Sequence, residues 1–222
     1  VGIDTSAAAG LAGVHDVITG ADGPDWRTGV ILADIPFLAR DYLAFEGEPL
    51  AVVVADSPEI AQRAIDLIHV ELDEQPPVAT PAEALAPGSR LVHPSWADFD
   101  SPAGVDFGRD GNIVAEIFSD PGDVDDAFEQ ADLIVEDTYR TPRQYQAHLE
   151  AKMALATYES GRYTIHVSHQ YPFRIRDRVA QILGVAPSAI RVIGHHIGGG
   201  FGAKLDVALE AFAAFLARRV GR

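Results

Sequence analysis

Four glycines in five positions, Gly198-Gly199-Gly200-Phe201-Gly202, stand between the β-branched run Ile190–Ile193 and a helix-periodic segment. Neither neighbour can continue through such a run, because glycine loses more backbone freedom than any other residue when held in a strand or helix. The pattern therefore reads as strand, glycine loop, helix. Such a loop lets the backbone approach a ligand closely, and the free amides of the following helix favour an anion. Taken alone, the run is equally well explained by a plain tight turn. Two familiar phosphate loops fail on spacing. Ala203 separates Gly202 from Lys204 and Leu205 follows, so the Gly-Lys-Ser/Thr of a Walker loop is missing, and G-x-G-x-G replaces the G-x-G-x-x-G of a dinucleotide fold.

The rest of the chain reads as short strands and helices punctuated by proline and glycine. Thr5–Ala9 is a capped helical turn leading to the alternating strand Val14–Thr19. The turn Gly47-Glu48-Pro49 feeds Leu50–Ala55, an unbroken apolar run expected to be a buried strand. Ser57 caps and Pro58 opens a helix in which Ile60, Ala61, Ala64, Ile65, Leu67 and Ile68 recur at spacings of three and four, and Ile68–Leu72 reads as a strand. Residues 1–78 are thus predicted to form a compact α/β unit with Val52, Val54, Ile65 and Ile68 in its core. Residues 79–111, rich in Pro, Ser, Asp and Gly, read as a linker.

Residues 112–222 are predicted as a second unit. It opens with a helix capped by Asp123 and carrying Val124, Ala127 and Phe128, followed by a strand over Leu133–Thr141. A hairpin joins Ala154–Tyr158 to Tyr163–Ser168 through Glu159-Ser160-Gly161-Arg162. Arg174–Leu183 is a helix stopped by Gly184, and Val207–Leu216 a helix with Leu209, Phe212, Phe215 and Leu216 on one stripe. The fold class is α+β, without internal repeats. The stop at Arg222, straight after a helix, is expected of a fragment or one piece of a split subunit.

With 47% hydrophobic and 23% charged residues the composition is that of a globular protein, and no apolar run approaches the roughly 18 residues of a membrane span. The chain contains no cysteine, so a disulfide, a thiolate zinc site or a cysteine-ligated iron–sulfur cluster would have to involve a partner. A net charge of -16 argues against nucleic acid as ligand. The charge is uneven: residues 1–139 hold 5 Lys/Arg against 28 Asp/Glu, residues 140–204 hold 9 against 3. Arg140, Arg143, Arg174, Arg176 and Arg178 are either solvated faces or part of an anion pocket. His148, His166, His169, His195 and His196 are read as surface or hydrogen-bonded residues rather than metal ligands. His195 and His196 are adjacent on a strand end and point apart, and His166 and His169 diverge likewise. No G-x-S-x-G elbow or cysteine nucleophile is present.

Gly198–Lys204 resembles the GGGFG-x-K motif of molybdenum hydroxylase large subunits, the family of xanthine dehydrogenases, aldehyde oxidases and aerobic carbon monoxide dehydrogenases. Gln170 lies 31 residues before Phe201, the separation at which that family has a glutamine hydrogen-bonding an oxygen ligand of molybdenum. Tyr42–Ala55 and Ala61–Glu71 are similar to the family's hammerhead domain. Gly122-Asp123-Val124-Asp125 and Val135–Arg140 resemble the start of its cofactor domain, and His148-Leu149-Glu150 sits at an apolar-Glu motif. The resemblance spans nearly all 222 residues. It implies a small α/β hammerhead-type domain (1–78) followed by the first part of a mixed α/β molybdenum-cofactor-binding domain (112–222). It also implies a molybdenum pyranopterin cofactor, plain or in its dinucleotide form, held by Gln170, Gly199, Gly200, Phe201 and Gly202 with no direct metal ligand.

The Gln170 side-chain amide and the Gly202 backbone amide are the donors expected to face the metal's oxygen ligand. The implied reaction is hydroxylation of an electron-poor carbon with oxygen from water. Electrons leave through [2Fe-2S] and FAD on partner subunits of a cytoplasmic complex. The catalytic glutamate of the family lies near the large subunit's C-terminus, so no residue here is assigned as catalytic, and the rest of the molybdenum subunit is itself a partner. Leu205 stands where xanthine-oxidising members have a substrate-binding glutamate, which turns the expectation from purine towards an aldehyde, an N-heterocycle or a small gas. The competing reading is a non-catalytic module that binds pterin cofactor or other subunits. On either reading, Gln170 and the Phe201-Gly202 peptide are expected to converge on one cavity.

Overall fold

A computed structural model describes residues 2–29, 32–95, 98–101, 104, 110–119 and 122–221. In chain order the elements are β1 (Gly2–Asp4), α1 (Ser6–Ala9), β2 (Val14–Thr19), β3 (Arg27–Thr28), β4 (Ile35–Pro36), β5 (Ala51–Ala55), α2 (Pro58–Ile65), β6 (His69–Glu71) and α3 (Pro81–Ala84). They continue with α4 (Val124–Glu129), β7 (Ala154–Glu159), β8 (Arg162–Val167), α5 (Pro172–Leu183), β9 (Ile190–Gly194) and α6 (Leu209–Val220).

The first six strands pair as antiparallel two-stranded ribbons, β1 with β6, β2 with β5 and β3 with β4. The strands either side of α2 therefore belong to different ribbons, each completed by a strand from the first twenty residues. α2 begins as its sequence requires: Ser57 Oγ accepts the Ile60 amide at 3.3 Å, and Pro58 occupies the first turn, where no intrahelical donor is needed. α1 lacks the expected Thr5 side-chain cap; Asp4 Oδ1 takes the Ser6 amide instead, at 2.9 Å. Asp123 also precedes its helix without a side-chain bond.

Packing corrects the expected N-terminal core. α2 turns Ala64 inward, fully buried, and leaves Ile65 49% and Leu67 44% exposed. α1 and α2 pack on each other, and each contributes an alanine, Ala8 and Ala64, as its buried residue. Small side chains let two short helices approach, so the bulky Ile65 lies on the outside. β5 is half-buried along its whole length, because a two-stranded ribbon keeps one face towards water. In place of a separate N-terminal core, Ile18, Phe37 and Leu38 join the cluster built by β8, α5 and α6. Phe37 lies 4.3 Å from Phe212 and 5.2 Å from Phe215, ring centre to ring centre. Arg219 pairs with Asp16, and Arg178 Nη2 donates to the Arg27 carbonyl at 2.7 Å.

The C-terminal sheet has the order β7-β8-β9, with β8 antiparallel to β7 and parallel to β9. Along β8 the alternation is strict: Tyr163, Ile165 and Val167 point into the core, with Thr164 and His166 between them. The hairpin turn is tighter than expected, since Glu159 and Arg162 pair across Ser160-Gly161. Both turn residues have positive φ, 50° and 80°, the geometry whose twist matches that of the flanking strands. α5 ends at Gly184 as predicted. α6 begins two residues later than expected and runs on to Val220, burying Ala211, Ala214, Phe215 and Ala217 while Leu209 stays 37% exposed. The strand expected over Leu133–Thr141 does not form. Its residues join no ladder, and Leu133 is 80% exposed, because none of the described strands lies beside it to pair with.

This packing sets a stability ranking. Ile165→Ala and Ile175→Ala, each removing a side chain with no exposure, are expected to cost ~2–5 kcal/mol in urea unfolding. Ile65→Asp and Leu67→Asp should both stay within about 1 kcal/mol.

Candidate functional site

Because β8 and β9 are parallel neighbours, the chain leaves both at the same edge of the sheet. Gln170 follows β8 and the glycine run follows β9, so the topology alone brings together residues about thirty positions apart. The ladder extends a step beyond the strands, the His195 amide donating to the Val167 carbonyl at 3.1 Å. The Gln170 amide then donates to the Lys204 carbonyl at 3.2 Å, and the Gly202 amide donates to Gln170 Oε1 at 3.1 Å. Gln170 and the Phe201-Gly202 peptide, expected to face one cavity, are thus joined by a direct hydrogen bond.

The same bond corrects one detail. The Gly202 N–H, expected to face a ligand, is engaged by Gln170. Fixing Oε1 as the acceptor orients the side-chain amide and leaves Nε2, a two-proton donor, without a partner among the described residues. The loop's closeness to Gln170 explains why glycine stands at 200: a Cβ there would lie 2.6 Å from Gln170 Oε1. Between the glycines, Phe201 takes a left-handed φ of 50° with its ring 72% exposed, a conformation that costs a non-glycine residue about 1–3 kcal/mol and is held by the bonds around it.

The loop's anchor is an ion pair between a buried lysine and a half-buried glutamate. Lys204 is fully buried, and its Nζ donates to Glu150 Oε2 at 2.7 Å and to Ser168 Oγ at 3.1 Å. The Ser168 hydroxyl donates a hydrogen bond to the same carboxylate oxygen, and the Gly198 amide donates to it at 2.9 Å. The Glu150 backbone amide completes the grip on the Gly198 carbonyl at 3.1 Å. The Lys204 ammonium, then the Ser168 hydroxyl and the Gly198 amide, hold the Glu150 carboxyl down to about 2. Gly198 is also forced by space, since a Cβ there would meet Glu150 Cβ at 2.5 Å. In sequence Glu150 and Lys204 stand only as parts of motifs; a lysine within an apolar, glycine-rich stretch is the signal that a carboxylate must be found for it.

Other polar groups surround this anchor. Lys152 Nζ donates to the Asp206 carbonyl at 2.8 Å, tying the loop's exit to the strand leading into β7. His169 is buried with Nδ1 accepting the Tyr171 amide at 3.0 Å, and burial pushes it below the usual histidine range. It is neutral, with its proton on Nε2. Glu210 is buried in the first turn of α6, and burial pushes its carboxyl up. His166 and His195 stack on each other, with Nδ1 and Nε2 3.0 Å apart. No group of three or more His, Asp or Glu suited to a metal ion occurs among the described residues. Arg176 pairs with Asp177, and Arg140 and Arg143 are exposed, so these three arginines follow the solvated-face reading, whereas Arg178 is half-buried and donates to Gln181 and to the Arg27 carbonyl.

Comparison with known proteins agrees with this geometry. Residues 1–76 match the model of the aldehyde oxidase and xanthine dehydrogenase a/b hammerhead domain, and residues 107–222 that of the molybdopterin cofactor-binding domain. The chain is 32% identical to a probable xanthine dehydrogenase subunit of Bacillus subtilis, over 100% of this chain and 28% of that protein. It is 34% identical to the nicotinate dehydrogenase large molybdopterin subunit of Eubacterium barkeri, over 97% of this chain and 48% of that one. Quinoline 2-oxidoreductase from Pseudomonas putida 86 superposes with a TM-score of 0.85 at 28% identity, covering 100% of this chain and 28% of its own. The chain therefore spans between about a quarter and a half of the length of these relatives.

The anchor makes a pH-dependent expectation. The folded value of Glu150, about 2, lies below its ordinary 4.5, so the stability it contributes is fully present above pH 4.5 and drains as pH falls towards 2. Glu150→Gln should lower stability at pH 7 and flatten the acid limb of an unfolding-versus-pH curve. An acid limb as steep in the variant as in the parent would remove Glu150 from this role.

Proposed function

Since the chain belongs to the molybdenum hydroxylase family of xanthine dehydrogenases and aldehyde oxidases and carries its molybdopterin cofactor-binding domain, we propose that it forms one wall of the molybdenum pyranopterin site of an oxidoreductase. The observation that carries this reading is the oriented Gln170 amide: Oε1 is held by Gly202, and Nε2 remains as a donor beside a loop without side chains at 198, 199, 200 and 202. The residues fit the group. They offer a neutral N–H donor and a glycine surface rather than a set of metal ligands, as suits a metal that arrives already ligated by an organic cofactor.

In this reading Gln170 Nε2 would donate to an oxygen of the bound group, Gly199, Gly200 and Gly202 would leave space for the cofactor, and Phe201 would present its exposed side chain beside it. Glu150, Lys204 and Ser168 hold the loop's two ends in register. The bound cofactor supplies the electron sink for hydroxylating an electron-poor carbon with oxygen from water. On partner subunits, [2Fe-2S] and FAD would take up the electrons, since these 222 residues, without cysteine, hold no cysteine-ligated cluster. The substrate is an aldehyde or N-heterocycle rather than a purine, supported by the half-buried, apolar Leu205, which offers no carboxylate to hydrogen-bond a purine edge. No described helix is long and apolar enough to cross a membrane, and the enzyme is read as cytoplasmic, with the remaining molybdenum subunit as its obligate complement.

In the assembled enzyme, hydroxylation in ¹⁸O-labelled water should place the label in product, and Gln170→Ala should lower turnover by roughly 10²-fold, the usual cost of removing a positioned donor. Full activity in Gln170→Ala, or unlabelled product, would end this reading. Alone, the 222-residue chain should retain no stoichiometric molybdenum and turn over neither aldehydes nor N-heterocycles with an artificial acceptor, because a single wall buries too little of the cofactor's surface.

A further inference from the structure

The stretches on either side of α4 carry apolar side chains that stand exposed among the described residues. Ile117 and Phe118 are each 90% exposed, and Leu133, Val135 and Tyr139 are 80%, 75% and 84% exposed. Soluble proteins rarely leave such a run of large side chains in water without a partner for it. Leu133, Val135 and Tyr139 are separated by even numbers of residues, the spacing that puts side chains on one face of a half-buried strand. The backbone agrees. Among the described residues, the amides of residues 132–139 make no backbone–backbone hydrogen bond, and the only amide bond there runs from Thr138 to the neighbouring Asp137 side chain. This is a strand by period and by side chain, with its ladder positions open.

We propose that residues 132–139, with 113–118 beside them in sequence, are docking edges for β-strands supplied by the part of the molybdenum subunit outside these 222 residues. The proposal rests on the family reading above. Three observations select that occupant. The stretch equivalent to this chain is only 28% of one curated relative and 48% of another, so relatives carry a large amount of further polypeptide. Residues 113–139 contain nine Asp/Glu and no Lys or Arg, which calls for a partner whose apolar, β-branched strands are flanked by Lys or Arg. The same charge opposes a symmetric pairing with a second copy, which would set these acidic stretches against each other, and opposes an anionic lipid surface.

Hydrogen–deuterium exchange, read by mass spectrometry on the isolated chain and on the full-length subunit that contains it, tests this. Amides 132–139 should exchange about 100-fold more slowly in the full-length subunit, as ladder amides do relative to open ones. Leu133→Lys and Val135→Lys replace residues already in water, so the isolated chain should keep its unfolding profile while capture of the co-expressed remainder of the subunit is lost. Equal exchange in both samples, normal capture by both lysine variants, or protection appearing in an isolated chain that light scattering shows to be dimeric would each overturn the proposal. Molybdenum content of the same full-length sample separates the two readings. Protection without molybdenum sinks the cofactor assignment and supports the docking edge, whereas bound molybdenum with 132–139 unprotected sinks the docking edge alone.

Discussion

The pairing of the buried Lys204 with the half-buried Glu150 is the contact on which the arrangement of the glycine loop depends. An ammonium with no solvent exposure is tolerable only beside a well-bonded counter-charge, and Glu150 is prepared for that by three donors on one oxygen. Those donors come from the segment after β8, from the start of the glycine run and from its end. One carboxylate therefore joins three separate pieces of chain. Removing Glu150 would leave the Lys204 ammonium buried and uncompensated, a far larger disturbance than loss of a surface ion pair.

With both ends of the loop held, the middle is free to be unusual. Phe201 keeps a left-handed backbone and an exposed ring, and Gly200 approaches Gln170 more closely than any side chain would allow. The Gly202 amide spends its proton on Gln170, which converts a rotatable amide into one with a defined acceptor end and a defined donor end. A positioned donor of this kind requires no rearrangement when a ligand arrives, and such preorganisation is how a protein makes a single hydrogen bond matter at a metal's ligand shell. The sheet supplies the remaining order. β8 and β9 run parallel through a buried α5, so the two loops start from a rigid edge.

Much of this was legible in the amino-acid order, and the exceptions share a cause. The hairpin, α5 with its Gly184 stop, β9 and the capped start of α2 are local: turn chemistry, caps and period specify them within a dozen residues. The glycine run and its spacing to Gln170 pointed to the candidate site. The misread features are those decided by distant neighbours. Ile65 belongs to the apolar stripe of α2 by period, yet Ala64 is buried, because the closest approach of α1 and α2 rewards the smaller side chain. Leu133–Tyr139 has the period of a strand, but a strand exists only beside another.

Residue order was enough for the family, for the strand–loop–helix at the glycine run and for the residues that line it, because these rest on local backbone chemistry and on motif spacing. Only packing settled that Lys204 finds Glu150 across 54 residues, that Gly202 binds Gln170 rather than facing outward, and that Phe37 packs between the N-terminal ribbons and α6. The reason is physical. Which amide donates to which acceptor, and which face of a helix is buried, depend on contacts between segments far apart in the chain, whose distances no single-sequence pattern encodes.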